Sequence, residues 1–123
     1  TIVACGVEVA RAVEAAELLA ADGIKARVVN MATIKPIDAE LLTRCAKETG
    51  CFVTCEDHNI HGGLGSAVAE SLAATKPSPI EFVAVKDVFG ASGEPEELAD
   101  AYGLTAPHIA QAAKRAIARK KKN

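Results

Sequence analysis

The sequence predicts an α/β fold: a three-layer sandwich in which helices cover both faces of a mostly parallel, doubly wound sheet of four to five strands. Short β-rich runs alternate with helical segments along the whole chain, which is the order that builds such a sheet. The intervening segments are long enough to cross from one parallel strand to the next. A length of 123 residues suits one domain, residues 1–123.

Half of the residues are hydrophobic and only 3% are aromatic, so aliphatic side chains and alanine must fill the core. Strands are predicted at residues 1–5, 25–30, 51–56 and 80–85. Helices are predicted at residues 7–21, 39–49, 66–75, 95–102 and 106–119. Asp38 is the expected cap of the second helix. In the first helix, the expected buried stripe consists of Val9, Val13, Ala16 and Ala20, with Leu19 beside it.

The net charge of −2 and the lack of aromatic platforms argue against nucleic-acid binding. The basic run at residues 119–122 is typical of a solvated helix end. No apolar stretch reaches the roughly 20 residues that span a bilayer, and no signal peptide is visible, so we expect a cytoplasmic protein without membrane partners. The chain opens on a strand without an initiator methionine, and we therefore expect a segment of a longer polypeptide.

The four cysteines are expected to be free thiols. Cys51 and Cys55 are four residues apart in a predicted strand, which places them about 13 Å apart at ~3.3 Å per residue. A disulfide requires Cα atoms within about 7 Å. No spacing typical of a metal site involves these cysteines.

Residues 56–65 form the richest stretch for chemistry, because they follow a predicted strand at the edge of the sheet where α/β proteins bind ligands. The candidate residues for an interface or an anion-binding loop are Glu56, Asp57, His58, His61, Gly62, Gly63 and Gly65. The glycines could present amide groups to an anion at a helix start, or form a tight turn against a neighbouring helix or subunit. Two acids and two histidines could also bind a metal, but a loop at a protein–protein contact fits their spacing better.

Enzyme motifs are missing around this loop. The dinucleotide fingerprint would need a third glycine where Val68 stands, and no phosphate-binding GxxxxGK[ST] motif occurs. Ser66 lacks the GxSxG setting of a nucleophile. We therefore assign no catalytic, cofactor-binding or metal-binding residue to this chain.

Six segments, taken together and in order, resemble the C-terminal domain of transketolases. They are RVVNM (27–31), TIKPID (33–38), VTCEDH (53–58), GGLGSAVAE (62–70), VFGASG (88–93) and YGLT (102–105). The same domain is similar in 1-deoxyxylulose-5-phosphate synthase and in the β subunit of 2-oxoacid dehydrogenases. The acid-acid-histidine at 56–58 resembles the transketolase branch more closely.

The resemblance implies a three-domain, homodimeric enzyme of the pentose phosphate pathway. In that family, thiamine diphosphate and a divalent metal (Mg) bind between the other two domains, the pyrimidine-binding and diphosphate-binding domains, in the same chain or in a partner subunit. The complete enzyme would transfer a two-carbon ketol unit between sugar phosphates. The family's GDG…N cofactor motif is absent here, so the resemblance implies an inactive domain that stabilises the assembly, with His58 at a domain or subunit boundary. The alternatives are the corresponding domain of 1-deoxyxylulose-5-phosphate synthase, or a regulatory module that binds a small anion at residues 62–65.

Overall fold

The computed structural model describes residues 1–86 and 95–121 as an alternation of strands and helices. The strands are β1 (Ile2–Ala4), β2 (Val28–Asn30), β3 (Phe52–Asn59) and β4 (Ile80–Val85). The helices are α1 (Glu8–Ala21), α2 (Ala39–Glu48), α3 (Leu64–Ala74), α4 (Pro95–Ala101) and α5 (Ala106–Lys121). The predicted α/β architecture is therefore confirmed.

The strands form a parallel sheet in the order β2-β1-β3-β4. The chain moves to one side of β1 to make β2 and then returns to the other side to make β3, so the direction of winding reverses between β1 and β3. The last residue of β3 that pairs with β1 is Cys55, opposite Ala4. Beyond that point β3 continues to Asn59, where it still pairs with Val85 of β4.

Both faces of the sheet are covered, which produces two buried clusters. Ile2, Ala4, Val53, Cys55 and Val83 point to one face and pack against α1, α4 and α5. The opposite face of β1, β2 and β3 packs against α2 and α3. Its buried residues are Val3, Val29, Met31, Leu42, Cys45, Ala46, Phe52, Leu64, Val68 and Leu72. Strands buried on both faces explain the near-continuous apolar runs in the sequence.

The predicted buried stripe of α1 is wrong in part: Leu19 is buried and Val9 packs against the core, but Val13 and Ala20 are exposed. The residues of α1 that face the sheet and α5 are Glu8, Ala12, Ala15 and Leu19, whereas Val13 is 46% exposed. The alanines lie inside because α1 packs closely against α5, whose buried positions are also mostly alanine. The apolar pattern of α1 alone does not show which positions are buried, because a close contact between two helices favours alanine over larger apolar residues such as Val13.

Several element boundaries also differ from the predicted ones. The β2 strand begins at Val28 and not at residue 25, and β3 extends to Asn59 where an end at residue 56 is predicted. The α3 helix begins at Leu64, two residues before its predicted start. The prediction that Asp38 caps α2 is confirmed, since its carboxylate accepts a hydrogen bond from the Leu41 amide at 3.1 Å. Residues 88–93, one of the six segments above, lie outside the described residues.

Candidate functional site

Glu56 lies at the point where β3 leaves β1, and its carboxylate is buried, with 3% of the residue exposed. Both of its oxygens accept hydrogen bonds from the first turn of α3. Oε1 accepts from the Leu64 amide at 2.7 Å, and Oε2 accepts from the Gly65 amide at 2.7 Å. The first amides of a helix have no partner within the helix and carry a partial positive charge, so a carboxylate is well placed there.

Gly63 and Gly65 let the backbone approach closely enough for these bonds. A Cβ atom on Gly63 would lie 1.9 Å from Glu56 Oε1, and one on Gly65 would lie 2.6 Å from Phe82 Cδ1. Gly62 has a φ of +79°, which favours glycine, and its amide donates to Ser66 Oγ at 2.9 Å. Gly63 therefore makes room for the internal carboxylate, while Gly65 makes room for Phe82.

This arrangement disfavours the small-anion alternative. The two amides at the start of α3 that an anion would use already bind Glu56. A phosphate or a nucleotide would have to displace a buried side chain that belongs to the fold. The negative charge at this helix start is a side chain of the same chain.

The remaining candidate residues are exposed. Asp57 and His58 follow Glu56 on β3, and His61 lies in the turn before α3. The side chain of His58 is 60% exposed, and its Nδ1 lies 3.8 Å from Glu56 Oε1. The structure thus brings Glu56, His58 and Gly63 together and leaves Asp57 and His61 on the surface around them.

A second buried carboxylate lies at the same edge of the sheet and was missed by the sequence reasoning. Glu8, in the first turn of α1, is fully buried. Its Oε1 binds Arg11 Nη1 at 2.5 Å, and Arg11 Nη2 reaches Glu96 Oε1 of α4 at 3.0 Å. Its Oε2 is buried without a hydrogen-bond partner among the described residues. Glu8 followed by Arg11 three positions later, just after a strand, is the signal that could have identified this pair.

Burial raises the pKa of Glu8, and the hydrogen bond and charge of Arg11 only partly oppose this shift. Burial also raises the pKa of the Cys5 thiol, as do the nearby charges of Glu56 and Glu8. The pKa of the buried Cys55 thiol is raised by the same burial effect. Neither thiol is therefore activated as a thiolate near neutral pH.

An open cavity of about 750 Å³ lies beside Arg11 at this edge. Glu14, Asp57 and Glu96 line it together with Arg11, and Tyr102 and Leu104 add apolar walls. The cavity is lined by three carboxylates and one guanidinium, and this guanidinium is already paired with Glu8 and Glu96. The polar part of the lining is therefore acidic. Such a lining repels phosphates and diphosphates.

The described residues contain neither a metal-binding cluster nor a helix that could span a membrane. Within residues 1–86 and 95–121, no group of three or more histidine, cysteine or acidic side chains is arranged to hold a metal ion. In the same part of the chain, no helix combines the length and apolar character needed to cross a bilayer.

An α/β domain with a parallel sheet, a carboxylate-capped helix start and an acidic edge is a scaffold of the doubly wound class. The family model of the transketolase C-terminal domain matches residues 1–109. The chain belongs to this family.

Relatives and solved structures agree with this assignment. The chain is 47% identical over 120 residues to a 6-deoxy-6-sulfo-D-fructose transketolase subunit of Clostridium sp. (strain MSTE9), covering 98% of this chain and 37% of the relative. It is 43% identical over 115 residues to a 1-deoxy-D-xylulose-5-phosphate synthase of Heliobacterium modesticaldum, covering 93% of this chain and 18% of the relative. A solved structure described as a split gene transketolase, inactive beta4 tetramer, superposes with a TM-score of 0.94 at 52% identity, covering 97% of this chain and 39% of that one. The chain therefore spans between about a fifth and two fifths of the length of these proteins.

Proposed function

We propose that this chain is the non-catalytic C-terminal domain of a thiamine-diphosphate-dependent transketolase and that it stabilises the assembly in which the active site forms. The complete enzyme would transfer a two-carbon ketol unit between sugar phosphates, with thiamine carrying the carbanion. The observation that carries the proposal is the filled start of α3: the amides that could receive a diphosphate bind Glu56 instead. This domain contributes shape and contacts, while the cofactor binds elsewhere.

The residues that the structure describes do not fit the cofactor. Thiamine diphosphate needs free donors for its phosphates and a metal held by carboxylate or amide oxygens. In residues 1–86 and 95–121 the helix start is occupied by Glu56, and no group of three or more acidic, histidine or cysteine side chains is arranged to hold the metal. The pyrimidine- and diphosphate-binding domains of the same enzyme, or of a partner subunit, would supply those groups.

The names of the relatives support a divided enzyme. Two of them are transketolase subunits, one for a sulfofructose and one for apulose 4-phosphate. The split gene transketolase whose structure superposes on this chain is described as an inactive beta4 tetramer. We infer that this domain likewise needs the cofactor-binding domains to become part of an active enzyme.

The loop of residues 57–63 consists of the last three residues of β3 and the turn before α3, and it is the proposed contact surface for assembly. Asp57, His58 and His61 are exposed on it, and it is flanked by the buried residues Glu56 and Leu64. Replacement of His58 by Ala should weaken assembly of the complete enzyme. Lys76→Ala is a matched control, because Lys76 is an exposed residue after α3, at the opposite edge of the sheet.

The decisive experiment compares the 123-residue chain with the complete enzyme reconstituted from it and the cofactor-binding domains. The chain alone should neither bind thiamine diphosphate in calorimetry nor convert sugar phosphates. The reconstituted enzyme should transfer ketol units from a ketose phosphate to an aldose phosphate. Cofactor binding or turnover by the chain alone would overturn the proposal. Condensation of pyruvate with glyceraldehyde 3-phosphate by the reconstituted enzyme would assign it to the synthase branch instead.

A further inference from the structure

We propose that Glu56 is a positioning residue whose negative charge holds the start of α3 against β3 and so fixes the C-terminal end of the loop of residues 57–63. Its significance for assembly rests on the proposed function, but the positioning itself is a property of this chain. Both oxygens of the carboxylate are used, each by a different amide of the first turn of α3 at 2.7 Å. A carboxylate with 3% exposure and two short charge-assisted hydrogen bonds is a fixed point in the fold.

The hydrogen bonds of Glu56 connect the two ends of the loop, because Glu56 precedes it and Leu64 and Gly65 follow it. Glu56 is part of β3, the second strand from one edge of the sheet, and its partners Leu64 and Gly65 are eight and nine residues further along the chain. These bonds therefore join β3 to the start of α3. The start of α3 cannot move away from β3 without breaking bonds to a buried charge, which is costly because the charge would lose its compensation. Within the loop, the Ile60 amide donates a separate hydrogen bond to the Val85 carbonyl of β4 at 2.7 Å.

The space around Glu56 is formed for a carboxylate. Gly63 leaves no room for a side chain, since a Cβ atom there would lie 1.9 Å from Oε1 and 2.9 Å from His58 Nδ1. His58 is thus placed against the same oxygen, at 3.8 Å. Displacement of Glu56 would therefore change the surroundings of His58 as well as the start of α3.

Charge and bulk can be separated by substitution. Glu56→Gln keeps the shape but replaces one acceptor oxygen by an NH₂ group, which would face an amide donor. The matched control is Glu70→Gln, the same chemical change at an exposed position of α3. Glu56→Ala removes the carboxylate and leaves a space about the size of acetate.

The test is amide hydrogen exchange on the 123-residue chain. Glu56→Gln should lower the protection of the Leu64 and Gly65 amides at least about tenfold relative to the wild-type chain, because hydrogen bonds to charged groups are among the strongest in proteins. The Val53 and Cys55 amides inside the sheet should keep their protection. Glu70→Gln should leave all four amides unchanged. Added acetate should restore the protection of Leu64 and Gly65 in Glu56→Ala, an effect that loss of packing alone would not produce.

Unchanged protection of Leu64 and Gly65 in Glu56→Gln, or an equal loss at Val53 and Cys55, would overturn the inference. Failure of acetate to restore protection in Glu56→Ala would also count against it, since the charge would then not be the cause. The assembly experiment is separate. If exchange behaves as expected but the complete enzyme assembles normally with Glu56→Gln, the positioning role stands and the proposed use of this loop in assembly fails.

Discussion

Two buried carboxylates at the same edge of the sheet are stabilised in different ways. Glu56 has both oxygens bound by backbone amides of α3. Glu8 has one oxygen bound by the side chain of Arg11 and the other without a hydrogen-bond partner among the described residues. Of the two, Glu56 lies in β3 against Gly63, which leaves room for its carboxylate. Glu8 is instead connected to a surface cavity, through Arg11.

The difference shows two solutions to the burial of a negative charge. Backbone amides at a helix start are fixed in place, so a carboxylate that binds them does not require a second side chain to be ordered. An arginine side chain must be ordered to bind its partner, and here it is shared with Glu96. The Glu56 site is therefore the more rigid of the two.

The largest effect is expected when Gly63 is replaced by Val, which breaks the Glu56 site. The new side chain would occupy the position of Glu56 Oε1 and force the carboxylate away from its amides. The free energy of unfolding should fall by about 4 kcal/mol, from overpacking and lost charged hydrogen bonds together. Urea denaturation measures it.

Gly62→Ala is the control for this change. Nothing lies within 4 Å of a Cβ atom at Gly62, whose φ is +79°. Only the cost of placing alanine in the left-handed region should appear, about 1 kcal/mol. Equal losses for the two variants would mean that contact with Glu56 does not matter.

A smaller effect is expected for Arg11→Met, which breaks the Glu8 site. Methionine keeps much of the apolar volume but leaves a buried carboxylate without its cation. The free energy of unfolding at pH 7 should fall by about 3 kcal/mol. Lys114→Met removes the exposed ion pair with Asp22 and should cost no more than about 0.5 kcal/mol. A loss for Arg11→Met as small as that of the control would show that Arg11 does not compensate Glu8.

The smallest expected effect is on the pH dependence of the free energy of unfolding, to which Glu8 and Glu81 should contribute with opposite signs. Burial raises the pKa of Glu8, which is faced by Arg11, Asp57, Glu96 and Cys5. Between the unfolded and the folded pKa of Glu8, the folded protein holds a proton that the unfolded protein releases. Wild type should therefore exceed Glu8→Gln in stability most at pH values below the pKa that Glu8 has in the unfolded chain. This advantage should decline as pH rises through the pKa that Glu8 has in the folded protein.

Glu81 provides the opposite case. Burial alone would raise its pKa, but hydrogen bonds from Arg115 and Arg119 outweigh burial and lower it. The advantage of wild type over Glu81→Gln should be present above the unfolded pKa and be lost as pH falls through the folded one. Thermal unfolding of the three proteins between about pH 3 and 8 gives both slopes. Parallel slopes would contradict the assignment of Glu8 as a carboxyl with a raised pKa.

The sequence predicted the order of the elements more reliably than the details of the site. The β4 strand and the starts of α4 and α5 were located to the residue, because turn residues and apolar runs mark them locally. The role of Glu56 was not found. Helix-capping signals are recognised within about three residues of the helix start, whereas Glu56 precedes Leu64 by eight residues.

The buried position of Glu8 could not be predicted for a related reason. An acid in the first turn of a helix is usually exposed and interacts with the helix dipole. Its burial depends on how closely α1 approaches the sheet, and the same close approach buries Ala12 and Ala15 and exposes Val13. That distance is a property of the packed protein, so neither feature is visible in the order of residues along α1.

The continuation of β3 beyond its last partner on β1 has a consequence for recognition. Residues 57–59 are an extension of a strand whose earlier part lies between β1 and β4. A surface that binds to this extension would meet backbone that is already ordered. Little conformational entropy would then be lost when the complex forms, and a small contact area could give a useful affinity.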